Sequence, residues 1–69
     1  MKKPEILLLL FYRLYKGDTV YRSAFCRETK IAERTFFRYL VNIKNFVIDN
    51  MTGLDIVSGR EGEYYINKY

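Results

Sequence analysis

Two arginines one helical turn apart, Arg34 and Arg38, are the residues whose type and spacing carry the most chemistry in this chain. A guanidinium presents a rigid fork of donors that matches paired acceptors, on a phosphate or on the edge of a guanine. Both lie in a basic segment. Between positions 21 and 45 the cations are Arg22, Arg27, Lys30, Arg34, Arg38 and Lys44, and the only anions are Glu28 and Glu33. Acids and bases balance elsewhere, so this segment holds the whole formal net charge of +4. Clustered positive charge is the footprint of a polyanion binder; the plainer reading is a solvated face that keeps a small protein soluble.

Other chemistries are poorly served. The chain has no histidine and one cysteine, which excludes serine–histidine and cysteine–histidine catalysis and a closed Cys/His zinc site. No paired carboxylates share a face, and no glycine-rich loop precedes a helix where it would cradle a phosphate. Neither an enzyme nor a cofactor nor a bound metal is expected. Cys26 reads as a small apolar residue in a reducing compartment, so a cytoplasmic location is expected. Lysines followed by an apolar run at 6–12 resemble a signal sequence, but Glu5 and Arg13 bracket the run and no small-residue cleavage site follows. At about 20 residues a membrane span is far longer, so no membrane partner is expected and the run reads as a buried helix.

The elements that must position the arginines follow from hydrophobic period. With 69 residues the chain suffices for a single domain over 1–69. Ile6, Leu10 and Leu14, flanked by Leu7 and Leu9, predict a central core helix over about 5–16, ended by Gly17-Asp18. Thr19-Val20-Tyr21 is β-prone, and a short helix over about 22–28 follows with Ala24, Phe25 and Cys26 as its apolar residues. A turn anchored by Ile31 leads to a long helix over about 33–50. At 100° per residue, Leu40, Ile43 and Val47 fall within about 40° of Phe36, while Arg34, Arg38, Val41 and Asn45 fall on the opposite side. The tail switches to period two around a glycine-bearing turn, which predicts a β-hairpin over about 54–67. Three helices and a C-terminal hairpin, mainly α, are the order of a winged helix-turn-helix, whose third helix enters the major groove of DNA.

The run Ile-Ala-Glu-Arg-Thr-Phe-Phe-Arg-Tyr-Leu at 31–40 also resembles the V-S-x-R-T-[IV]-[YF]-R-D-[IL] segment of bacterial DeoR-type and WYL-type regulators. The winged N-terminal domain of biotin repressors is similar. Glu-Gly-Glu-Tyr-Tyr-Ile at 61–66 resembles the G-G-Y-x-L that closes the wing in that family, and Phe25-Cys26 stands where the family has Leu-Ala. The resemblance implies sequence-specific binding of double-stranded DNA in transcriptional control. Ala32 departs from the family serine, which removes a side-chain N-cap worth about 1 kcal/mol. Lys30 replaces the turn glycine and must adopt a positive φ if the turn is kept; Tyr39 replaces an aspartate. Family regulators carry a sensing or oligomerising domain after the wing, so the chain reads either as an excised domain or as a small protein of phage or mobile-element type.

On this reading Arg34 and Arg38 make base-edge or phosphate contacts, and Thr35 either donates to a phosphate or closes the first turn. Phe37, on a flank, either braces the second helix or meets a thymine methyl. Arg22, Lys30 and Lys44 are phosphate anchors, and Arg60 at the hairpin tip approaches the minor groove, against the repulsion of Glu61 and Glu63. Tyr12, Tyr15, Tyr39, Tyr65 and Tyr69, expected half-exposed, with Val41 and Ile48, suggest a homodimer contact. The rival functions are an architectural, excisionase-like factor that bends DNA and a winged domain used for protein docking.

Overall fold

The structure is a computed structural model that describes residues 2–51 and 53–68. Three helices, α1 (Lys3–Tyr15), α2 (Arg22–Thr29) and α3 (Glu33–Asn50), are combined with three strands, β1 (Val20–Tyr21), β2 (Leu54–Ser58) and β3 (Glu63–Lys68). The chain is thus mainly helical with a small antiparallel sheet in the order β1-β3-β2. No helix among the described residues is long and apolar enough to cross a membrane.

α1 and α2 each end for a local reason. After α1, Gly17 takes a φ of 103°; its amide donates to the Leu14 carbonyl at 3.1 Å and the Asp18 amide to the Arg13 carbonyl at 3.0 Å. These two hydrogen bonds satisfy carbonyls that the helix leaves open. α2 ends on Lys30, a non-glycine residue in the left-handed region at φ 59°, ψ 38°, as the turn requires. Its neighbour Ile31 donates to the Cys26 carbonyl at 3.2 Å and closes the turn. α3 starts at Glu33 after Ala32, which offers no side-chain cap.

The hairpin pairs Leu54 with Lys68 through Ser58 with Tyr64. In the loop between its strands Glu61 and Gly62 both take positive φ, 56° and 76°. The β-prone segment after α1 becomes a third strand: Val20 pairs with Tyr64 and Tyr21 with Glu63. A two-residue strand has no period to read, so its partner was set by tertiary packing alone.

Phe36 is fully buried where α2, α3 and the sheet converge. Its ring meets Phe25 of α2 at 5.8 Å and Tyr64 of β3 at 5.4 Å between centroids. Ile6, Leu10 and Leu14 of α1, with Val20, Ile43, Val47 and Ile56, complete the core around it.

Three expectations change. Tyr39 is 9% exposed rather than half-exposed, and Leu40 is only half-buried. The buried stripe of α3 is rotated toward α1, the side on which Phe46 meets Phe11 edge-on at 5.8 Å. Ala24 is exposed; in a helix of eight residues only one side reaches the core, and Phe25 takes it. Tyr69 lies outside the described residues.

Truncating Phe36 to alanine is expected to destabilise the domain by about 3–5 kcal/mol, measured by urea titration. Lys30→Gly is expected to stabilise by about 0.5–1 kcal/mol in the same titration, the relief of left-handed strain partly offset by the flexibility of unfolded glycine.

Candidate nucleic-acid interface

Arg34 and Arg38 lie in the N-terminal half of α3 and are exposed. Both stand on the side turned away from Phe36, about 160° and 200° around the helix from it. Neither makes an ion pair among the described residues. Val41 continues this outer face and is 56% exposed.

The two acids of the basic segment are both engaged. Glu28 of α2 receives a bidentate pair of hydrogen bonds from Arg13 of α1, one of them at 3.1 Å from Nη1 to Oε1. The hydrogen bonds that Arg13 donates hold the Glu28 carboxyl below the usual glutamate range and push the pKa of the Arg13 guanidinium up. Glu33, at the start of α3, lies 3.7 Å from Nε of Arg22. Arg27, Lys30, Arg34, Arg38 and Lys44 are therefore left exposed and without an acidic partner among the described residues. The density of free positive charge on α2, the turn and α3 is higher than a residue count indicates, because Arg13, outside the basic segment, neutralises one of its acids. Residues fifteen apart in sequence gave no local signal for that pair.

Arg22 is drawn inward. Its guanidinium carbon lies 5.4 Å from the centre of the Phe37 ring, a cation–π arrangement, and its side chain is 33% exposed. Phe37, itself 40% exposed, thereby braces the start of α2, and its ring edge also meets Phe36 at 6.0 Å. Gly62 of the hairpin loop also packs against Arg22: a Cβ there would stand 3.4 Å from Cβ of Arg22. One arginine thus ties the starts of α2 and α3 to the hairpin loop, which carries exposed Arg60 and Glu61.

The remaining positions are more scattered. Thr35 is half-buried, and its hydroxyl has no side-chain hydrogen bond among the described residues. Lys30 is exposed at the turn. Lys44 borders a hollow with Val41, Ile56, Ser58 and Tyr64, on the flank of α3 that faces the sheet, about 80° around the helix from Arg34. The half-buried Cys26 thiol is pushed up by burial and by the nearby Glu33 carboxylate, so it stays protonated and unreactive near neutrality. Among the described residues no three His, Cys, Asp or Glu side chains gather where they would hold a metal ion.

The arrangement presents a helix face with two exposed guanidinium groups that have no acidic partner among the described residues. No family model matches this sequence, and no curated protein and no solved structure matches it.

Because the Glu28 carboxyl is depressed by Arg13, its stabilising contribution is complete above the ordinary glutamate range and is lost as pH falls through its lowered value. Glu28→Gln is expected to melt below the parent at pH 7, and thermal melts of the two should converge on acidification. A constant gap across the acid range would contradict this.

Proposed function

We propose that this chain is a winged helix-turn-helix domain that binds double-stranded DNA sequence-specifically and acts in transcriptional control. The observation that carries the proposal is the exposed pair Arg34 and Arg38, free of acidic partners on the outer face of α3. A helix of 18 residues is about 27 Å long and fits the B-DNA major groove, roughly 12 Å wide. In that pose α3 lays Arg34 and Arg38 toward base edges, while α2 crosses the backbone. Lys30 in the turn and Arg27 on α2 meet phosphates beside the groove, and Lys44 follows farther along α3. The β2–β3 hairpin is the wing. Its Arg60 is flanked by Glu61 and Glu63, so the wing contributes steering more than affinity. Arg22 acts by holding the parts together, with Glu33 and Phe37, and this keeps α3 and the wing in fixed relation. Regulation of this kind places the chain in the cytoplasm, with its DNA.

The order of elements and the resemblance at 31–40 and 61–66 support the same reading. The DNA-bending alternative shares the interface and differs in the shape of the bound duplex.

The test is a binding titration on random-sequence duplex across a salt series, for the parent and for the Arg34→Ala/Arg38→Ala variant. With Arg27, Lys30 and Lys44 on phosphates, affinity is expected to fall about forty-fold between about 50 and 200 mM salt, and several hundred-fold if Arg34 and Arg38 also neutralise phosphates. Guanidinium groups on phosphates would flatten the salt slope by about 1 each when removed. Groups on base edges would instead cost about 1–3 kcal/mol each on a selected site. Absence of binding at low salt sinks the proposal.

A further inference from the structure

We infer that the face of α1 turned away from the core is a self-association surface that pairs two copies of this chain with their α1 helices antiparallel. α1 is apolar on nearly every side. Ile6, Leu10 and Leu14 are at most 3% exposed, yet Leu8 is 64%, Tyr12 58% and Tyr15 54% exposed on the outer face. Phe46 of α3, 51% exposed, extends this patch across an apolar groove between the two helices. Its rings are already ordered: Phe11 stacks on Tyr15 and meets Phe46 edge-on, each at 5.8 Å.

Size, spacing and charge point to a second copy as the occupant. A wholly covered aromatic side chain buries about 150–250 Å², so Leu8, Tyr12, Tyr15 and Phe46, all more than half exposed, offer roughly 400 Å² per copy. Two copies bury about 800 Å² from these residues alone, and the rim around them brings the interface to about 1,000–1,200 Å², the lower bound for a specific complex. Glu5, Leu8, Tyr12 and Tyr15 recur at the alternating three- and four-residue steps of a helix-pairing seam. The charges on this face lie at its two ends, Glu5 one turn before Leu8 and Lys16 one turn after Tyr12. A twofold axis near the middle of α1 sets Leu8 against the partner copy's tyrosine and each Glu5 against a Lys16 of the other copy. A parallel arrangement would set like charge on like. Lys16 already lies over the Tyr12 ring at 5.2 Å and 3.3 Å from Asp18, which holds it at the edge of the patch. The basic face of α2 and α3 is not used, so the pairing stands apart from the reading as a DNA binder.

Sedimentation equilibrium of the full chain, without DNA, tests the inference. The parent is expected to dimerise with a dissociation constant on the order of micromolar, and Leu8→Glu or Tyr12→Glu to be monomeric with the circular dichroism of the parent. Glu5→Lys and Lys16→Glu are each expected to weaken the dimer about fivefold or more, and the double variant Glu5→Lys/Lys16→Glu to restore it. A parent that stays monomeric at several hundred micromolar overturns the inference and leaves the patch to a different protein partner. So does a dimer that survives Leu8→Glu and Tyr12→Glu. Failure of the double variant to restore association overturns the antiparallel arrangement.

Discussion

Everything in this domain leans on one aromatic contact, Phe36 of α3 against Phe25 of α2 and Tyr64 of β3. A chain of 69 residues has little interior to share among three helices and a sheet, and a disulfide is not available to help. One large, fully buried ring that touches two other elements at once is an economical solution. It also fixes the orientation of α3. With Phe36 pointing inward, Arg34 and Arg38 must point outward, because helical geometry places them on the far side. Core packing and the candidate interface are therefore two faces of one rotational setting.

Electrostatics refines what packing sets. The acids of the basic segment are not spread among its cations. Glu28 is bound to Arg13 and Glu33 lies beside Arg22. The arginines that pair are partly buried and those on the outer face of α3 are not. The cations of the basic segment left without acidic partners among the described residues are Arg27 of α2, Lys30 of the turn, and Arg34, Arg38 and Lys44 of α3.

Much of this was legible in the residues, and the exceptions have physical causes. The bounds of α3 follow from a long apolar period after the turn anchored by Ile31, and the hairpin follows from a switch of period across Gly59 and Gly62. The outward face of α3 follows from the same wheel that buries Phe36. Burial of Tyr39 was not legible, because a phenol suits an exposed site as well as a core, and tertiary packing decided between them. The Arg13–Glu28 pair and the Arg22–Phe37 contact join residues fifteen positions apart in sequence, which only the fold brings together. For the same reason the phosphate-anchor reading of Arg22 could not anticipate that its guanidinium would be held against Glu33.

The two-residue strand β1 has a consequence for the order in which the domain assembles. Val20 and Tyr21 pair with Tyr64 and Glu63, so this contact spans most of the chain, whereas the helices and the hairpin close over short stretches. Loop-closure entropy makes so distant a pairing late to form, after the local elements have nucleated. With only two residues holding it, it is also the weakest seam of the sheet and the first to part in a partial opening. Because Tyr64 of β3 also packs on Phe36, such an opening would loosen the Phe36 core together with the hold of the hairpin on the starts of α2 and α3.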